Sequence, residues 1–158
     1  MNILSSQWAT RNGKSSDGKI IQHERNYIDF LVDSQCVKTI LGYADNDLIT
    51  LLGWFKYSAD DELMIEEFLK QNISNLKSGR TVIYGCPECG DLGCGAITAE
   101  IVEMDNKIIW KNFAYENEDE SYDVEKLKKT TPFEFDKQQY ISEFAKISKE
   151  INKTPREY

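Results

Sequence analysis

Three of the four cysteines lie close together in a stretch that is also rich in glycine. Cys86, Cys89 and Cys94 fall within nine residues, in the sequence CPECGDLGCG. A Cys-x2-Cys pair with a third cysteine nearby is a typical source of thiolate ligands for zinc. Neighbouring glycines allow the positive φ angles at which backbone N–H groups turn towards bound sulfur. One interpretation of this segment, residues 86–95, is therefore a zinc site, and we call it the cysteine loop.

A closed structural zinc site has four protein ligands, so the cysteine loop is one ligand short. In a zinc knuckle of this spacing the fourth ligand would come at Ala99, which cannot bind metal. Cys36 and His23 are distant alternatives, and Asp91 or Glu88 would be less usual ligands. The zinc hypothesis therefore names as ligands Cys86, Cys89, Cys94 and Cys36.

Two further interpretations of the cysteine loop involve no metal. A thiol oxidoreductase of the thioredoxin type places its Cys-x-x-Cys pair at the N-terminus of a helix, where the dipole lowers the pKa of the first thiol. Gly90, Gly93 and Gly95 disfavour a helix after Cys89. Cysteine is also a small apolar residue that is often buried. The sequence favours this last interpretation, in which a tight turn joins two strands, the cysteines fill the core and no cofactor is bound.

A second candidate site is a run of acidic residues with aromatic residues among them. Six of the ten residues 116–125 are acidic. Aromatic rings supply buried area in protein interfaces, and carboxylates attract a cationic partner. We therefore predict a partner-binding surface in the acidic segment, residues 113–125, formed by Phe113, Tyr115, Glu116, Glu118, Asp119, Glu120, Tyr122 and Asp123.

The charge balance excludes several kinds of partner. The formal net charge is −8, from 27 acidic and 19 basic residues. Nucleic acids and anionic membrane surfaces are bound mainly through Lys and Arg, so neither is an expected partner. No apolar run approaches the roughly 20 residues that span a bilayer, and the first residues lack the pattern of a signal peptide. We therefore expect a cytoplasmic protein, whose thiols are reduced.

Strand patterns cluster in the middle of the chain. Residues 96–104 alternate in polarity, and residues 107–115 return as a partner strand after a turn at Asp105 and Asn106. This hairpin is the centre of the predicted sheet. Shorter strands are predicted for residues 27–32, 81–85 and 132–135.

Helix patterns flank these strands. A short helix is predicted over residues 35–41, and a second over residues 61–72 after a capping-box pattern formed by Ser58 and Asp61. The core face of the second helix would carry Met64 or Ile65, and Phe68. A third helix follows Asp136, with Gln139 completing a capping box and a core face of Tyr140, Phe144, Ile147 and Ile151.

These elements predict one domain, residues 1–158, of the α+β class, with a largely antiparallel central sheet flanked by helices. Its ends are expected to be irregular, at residues 1–18 and 153–158. The apolar residues 48–55 fit either a buried strand or a buried helix, because both patterns allow a short apolar run.

Three motifs resemble those of a family of small bacterial proteins of unassigned function. They are a CxECGDxGCG loop, here residues 86–95; a Trp-x-x-Phe strand, here Trp110 and Phe113; and Phe-x-Phe-Asp followed by Tyr, here residues 133–140. The resemblance covers about two-fifths of the chain and implies no mechanism.

In its size, acidity and α+β character the chain is also similar in type to the immunity proteins of bacterial toxin-delivery systems. This similarity implies a non-enzymatic protein that binds a basic toxin domain, such as a nuclease, through the acidic segment. His23 is the only histidine and lies in a polar context, so a catalytic Ser-His-Asp or Cys-His set has little support. The alternative hypothesis is a zinc-binding or thiol-redox protein centred on the cysteine loop.

Overall fold

The structure, a computed structural model, describes residues 1–118 and 122–153, apart from the side chain of Tyr122. Its strands are β1 (Leu4–Arg11), β2 (Lys14–Ser16), β3 (Lys19–Gln22), β4 (Arg25–Val32), β5 (Gln35–Cys36), β6 (Thr81–Tyr84), β7 (Ala96–Met104), β8 (Lys107–Glu116), β9 (Tyr122–Asp123) and β10 (Phe133–Asp136). Its helices are α1 (Val37–Ile40), α2 (Ser58–Phe68) and α3 (Lys137–Lys153), and a 3₁₀ turn spans Leu92–Cys94.

An antiparallel sheet forms the centre of the fold and confirms the predicted α+β class. Its strand order is β10-β8-β7-β6, and β9 pairs with the far end of β8. The predicted hairpin is confirmed, since β7 and β8 pair from Ala96 with Glu116 to Met104 with Lys107. The cysteine loop connects β6 to β7, so it lies at one end of this sheet.

A second sheet is built from the N-terminal part of the chain, with the order β1-β4-β5. The prediction that residues 1–18 are irregular is therefore wrong. β1 pairs with β4 over its whole length, from Leu4 with Val32 to Arg11 with Arg25. Most residues of β1 are polar, so no apolar pattern in the sequence indicates a strand. Backbone pairing with the buried β4 stabilises it. At the other end Lys153 belongs to α3, and residues 154–158 lie outside the described part.

Residues 48–55 form neither of the two predicted elements. They are an irregular segment that is buried at its centre, between the two sheets. Ile49 makes two backbone hydrogen bonds with Gly85, and the carbonyl of Leu52 accepts one from the N–H of Ile28. Buried backbone groups need such partners, and here the neighbouring strands supply them in place of a regular ladder.

Helix α2 begins three residues earlier than predicted and ends at Phe68. Its N-cap is Tyr57, which makes no side-chain cap, so the predicted capping box of Ser58 and Asp61 does not form. The buried residues Ile65 and Phe68 agree with the predicted core face. The helix predicted for residues 35–41 is also shorter than expected, because Gln35 and Cys36 form β5 and pair with β4.

Helix α3 closes the fold and matches its prediction. The core face is buried as expected, at Tyr140, Phe144, Ile147 and Ile151. Asp136 accepts a hydrogen bond from the N–H of Gln139 at 3.0 Å, but the Gln139 side chain bonds both backbone groups of Leu4 in β1 instead. The side chain that would complete a capping box therefore joins the helix to the second sheet. No helix in the described residues has the length and apolar character needed to cross a membrane.

Aromatic rings fill the space between the sheets and the helices. Phe30 of β4 packs edge-on against Trp110 of β8, with ring centroids 5.3 Å apart. The Trp110 indole donates a hydrogen bond to the hydroxyl of Tyr140 at 3.1 Å, and this hydroxyl donates to the carbonyl of Phe68 at 2.8 Å. Both sheets and both long helices thus share one core.

Candidate metal centre

The cysteine loop brings its three thiols together. The Sγ atoms of Cys86, Cys89 and Cys94 all lie within 4.8 Å of one another, and those of Cys89 and Cys94 are 3.6 Å apart. A hydrogen bond of 2.8 Å from the N–H of Gly90 to the carbonyl of Cys86 closes the first turn. The loop is a cluster of sulfur atoms at the surface, with Cys89 and Cys94 exposed.

Two glycines give this loop its shape by adopting positive φ angles. Gly90 has a φ of 69° and Gly95 a φ of 86°, conformations that other residues rarely adopt. A Cβ at Gly95 would also lie 1.9 Å from the Tyr115 hydroxyl, which packs directly over it. The glycines therefore turn the chain so that the cysteines on either side face one another.

The spacing of the sulfur atoms fits a tetrahedral metal site. A zinc ion with Zn–S distances of about 2.3 Å holds its sulfur ligands about 3.8 Å apart. Cys89 and Cys94 already lie 3.6 Å apart, and Cys86 is within 4.8 Å of both. Small side-chain rotations would thus place all three thiols around one ion. This arrangement contradicts the favoured interpretation of the cysteines as core filling, because Cys89 and Cys94 are exposed.

The thiols differ in acidity because of their positions in the loop. Burial alone would raise the pKa of Cys86, but hydrogen bonds from the backbone N–H groups of Cys89 and Glu88 lower it overall. Hydrogen bonds with Cys89 and then Cys86 raise the pKa of Cys94 to about 11. Cys86 is therefore better prepared than Cys94 for metal binding, since metals bind the thiolate.

Cys36, the predicted fourth ligand, does not belong to the cluster. Among the described residues the group of side chains able to share a metal contains the three loop cysteines and not Cys36. The Cys36 thiol donates to the buried carboxylate of Asp29 at 3.2 Å, and burial followed by the Asp29 charge raises its pKa. The same carboxylate accepts a hydrogen bond from Tyr84. Cys36 is a partner of Asp29 in the core, so its assignment as a ligand is wrong.

The backbone of the loop is held by a group of basic side chains that sequence reasoning missed. Arg11 of β1 lies 2.8 Å from the carboxylate of Glu88, and the Nδ1 atom of His23 lies 2.7 Å from its other oxygen. The guanidinium of Arg25 donates to the carbonyl of Pro87 at 2.8 Å and lies 4.7 Å from the Trp54 ring centroid. We call Arg11, His23 and Arg25 the basic clamp.

The basic clamp lowers the pKa of Glu88. The Arg11 hydrogen bond, and then the backbone and side-chain hydrogen bonds of His23, lower the pKa of Glu88 to about 2. Asp91, the other acid considered as a ligand, accepts a hydrogen bond from the N–H of Gly93 at 3.2 Å. Both loop acids and His23 are thus engaged in holding the loop.

The acidic segment does not form the predicted surface as a whole. Phe113 is only 8% exposed and packs against Phe133, and Glu116 is 2% exposed. The reason is a β-bulge in β8 at Asn112, whose φ angle is 53°. Beyond the bulge the strand turns Glu116 to the face opposite Trp110. Phe113 and Glu116 are therefore structural residues, and their assignment to a partner surface is wrong.

Glu116 belongs to a buried ion pair on that face. Its carboxylate lies 3.6 Å from the guanidinium of Arg80, which is also 2% exposed. Thr98 joins the two, accepting from Arg80 at 2.9 Å and donating to Glu116 at 3.1 Å, while Ser78 donates to both Glu116 oxygens. Buried charges require this degree of pairing.

Other members of the acidic segment lie beside the cysteine loop. Tyr115 is half-buried between the loop and the ammonium group of Lys126, which lies 4.3 Å from its ring centroid. Glu118 and Asp123 are exposed, and a Cβ at Gly93 would lie 2.8 Å from the Glu118 Oε1. Outside the described part fall Asp119, Glu120 and the side chain of Tyr122. The two predicted sites are therefore neighbours.

Comparisons of the chain with protein-family models, with curated proteins and with solved structures find no match. The resemblance to a family of small bacterial proteins and the likeness to immunity proteins stay predictions.

Proposed function

We propose that this protein binds zinc through the thiolates of Cys86, Cys89 and Cys94. The observation that carries the proposal is the mutual approach of the three sulfur atoms to within 4.8 Å, with one pair at 3.6 Å. That spacing is close to the edge of a ZnS tetrahedron, about 3.8 Å. Zinc would join the ends of the loop between β6 and β7, and the exposed thiols leave it accessible to a fourth ligand.

The loop geometry favours metal binding over thioredoxin-type chemistry. That chemistry depends on a helix that starts at the Cys-x-x-Cys pair and lowers the first pKa. Here Cys89 is followed by Gly90 with a φ of 69°, and the next element is a 3₁₀ turn of three residues. Such a turn has no appreciable dipole. The exposed sulfur cluster of the cysteine loop suits a thiophilic cation instead.

The test is the zinc content of protein expressed in zinc-supplemented medium and purified without chelators, measured by native mass spectrometry. We expect about one zinc ion per chain for the wild type, and loss of zinc from Cys86→Ser, Cys89→Ser and Cys94→Ser. Cys36→Ser is the matched control and should keep its zinc. Wild-type protein without zinc, or equal loss in the Cys36 variant, would overturn the proposal.

A second candidate function is the binding and neutralisation of a basic toxin domain. It is favoured by the net charge of −8 and by the exposed acids Glu118, Asp123 and Glu125 at one end of the sheet. The burial of Phe113 and Glu116 restricts this surface to the remaining residues of the acidic segment. We place such a protein in the cytoplasm, without a catalytic role and without a nucleic-acid partner.

This second function is tested by co-expression with the product of the adjacent gene. The toxin-binding function would be supported if the wild type protects the cell and an Asp123→Lys, Glu125→Lys double variant does not. The zinc content of the double variant should stay unchanged. A neighbouring product that is harmless on its own would remove this candidate and leave the zinc proposal in place.

A further inference from the structure

We propose that Glu118 supplies the fourth ligand of the metal site, so that the complete donor set is three thiolates and one carboxylate. This inference rests on the proposed function, since it completes the same site. Glu118 follows the end of β8 and is exposed. Its carboxylate reaches across to the cysteine loop at Gly93, the residue before Cys94.

The Glu118 carboxylate explains why residue 93 is a glycine. A Cβ at Gly93 would lie 2.8 Å from Oε1 and 2.9 Å from Cδ of Glu118. Unlike Gly90 and Gly95, Gly93 has no positive φ angle that would call for glycine. The space beside Gly93 is therefore used by the Glu118 carboxylate and is not a requirement of the backbone.

Among the described residues, the two carboxylates of the loop and the imidazole that contacts it are already engaged. Glu88 is held by Arg11 and His23, and the Asp91 carboxylate caps the N–H of Gly93. In the described part of the chain no ion pair holds the carboxylate of Glu118. A side chain that is exposed and unconstrained can turn towards an ion at low cost, whereas moving Glu88 would break several hydrogen bonds.

Zinc coordination chemistry also calls for a fourth ligand, which a nearby carboxylate can supply. Zinc in protein sites is almost always four-coordinate, and carboxylate oxygens bind it at about 2.0–2.2 Å. Glu118 does not lie within the 4.8 Å sulfur group, so its side chain must rotate to bring an oxygen to the ion. Cys36, the alternative fourth ligand, is held by Asp29 in the core.

The experiment is a titration of the chelator-treated full-length protein with Co²⁺, followed by competition with Zn²⁺. Wild type should show thiolate-to-cobalt charge transfer and the intense d–d bands of a tetrahedral site. Glu118→Gln should weaken Co²⁺ binding by on the order of tenfold or more and change the d–d bands. Glu125→Gln, an exposed acid of the same segment, is the matched control and should match the wild type.

A second variant tests whether Gly93 acts through Glu118. Gly93→Ala would displace the end of a flexible side chain, so it should leave folding intact and weaken Co²⁺ binding. In the Glu118→Gln background the same change should have no further effect on affinity.

The outcomes separate the two levels of the proposal. The fourth-ligand assignment would be overturned if Glu118→Gln kept the charge-transfer bands, the d–d bands and the Co²⁺ affinity of the wild type. The three-thiolate site would then remain intact. A Gly93→Ala effect of equal size in both backgrounds would overturn the fourth-ligand assignment too. Failure of the wild type to bind Co²⁺ would overturn both the site and its fourth ligand.

Discussion

The guanidinium of Arg11 lies 2.8 Å from the carboxylate of Glu88, although 77 positions separate the two residues in the chain. This contact joins β1 of the second sheet to the cysteine loop of the central sheet. The Arg11 side chain is only 8% exposed, so solvent screens its side of the pair weakly. The N-terminal strand therefore helps to fix the loop before any metal binds.

Replacing Glu88 with Gln should lower the free energy of unfolding of the metal-free protein by about 1 kcal/mol, because it removes the charge that pairs with Arg11. The loss stays modest because Glu88 is partly exposed and Arg11 keeps its contact with Asp47. Urea unfolding measures the change. Glu24→Gln, an exposed neighbour of His23, is the control; equal stability of the two variants would show that the clamp contributes nothing.

Asp33 gives a pH-dependent prediction for the N-terminal segment. Hydrogen bonds from the Asn2 side chain, followed by the Ile3 N–H, lower the pKa of Asp33. A carboxyl group with a lowered folded-state pKa stabilises the fold above its unfolded pKa, about 3.9, and this stabilisation is lost as pH falls through the folded value. Asp33→Asn tolerates the φ of 51° at this position and isolates the charge.

The stability difference between wild type and Asp33→Asn should therefore be largest above about pH 5 and shrink as the pH falls below about 4. Its size should stay below about 1 kcal/mol because Asp33 is exposed. Denaturant unfolding at a series of pH values measures it. A difference that is constant over this range, or that grows at low pH, would show that the ionised carboxylate is not the stabilising group.

Removing the charge of Glu116 should destabilise the protein strongly. Glu116→Gln removes the buried counter-charge of Arg80 and leaves its guanidinium 3.8 Å from the more exposed carboxylate of Glu100. Breaking a buried pair in this way costs about 3 kcal/mol. Thermal unfolding compared with the exposed Glu125→Gln measures the effect. Two variants of equal stability would contradict the structural role of Glu116.

The Tyr140 hydroxyl should contribute about 1–3 kcal/mol to the free energy of unfolding, because its removal leaves both the Trp110 N–H and the Phe68 carbonyl without this partner in the core. Tyr140→Phe changes little else, since the ring still fills its place. Chemical unfolding followed by the fluorescence of the three tryptophans, among them Trp110, measures the loss. A variant as stable as the wild type would show that these two groups find other partners.

The parts of the fold that follow local periodicity could be predicted from the sequence. The hairpin of β7 and β8 alternates with a period of two, and the buried residues of α3 recur every three or four positions from Tyr140 to Ile151. β1 could not be recognised in this way. Its few apolar residues, such as Leu4 and Trp8, carry a weak pattern, and its stability comes from pairing with β4.

For the candidate site, the sequence identified the three thiols and missed what surrounds them. Spacing brought out Cys86, Cys89 and Cys94, because ligands close in sequence stay close in space. The clamp residue Arg11 is brought to the loop by tertiary structure alone. Phe113 and Glu116 were misassigned because a one-residue bulge at Asn112 changes which face each side chain occupies.

The most direct test of the zinc site is X-ray absorption spectroscopy at the zinc edge of the metal-loaded, full-length protein. We expect three sulfur neighbours at about 2.3 Å and one oxygen at about 2.0–2.2 Å. Cys94→Ser should lose one sulfur neighbour or fail to bind the ion. A zinc ion surrounded only by oxygen and nitrogen, in protein whose three loop thiols still react with an alkylating reagent, would show that the cysteine loop does not bind zinc.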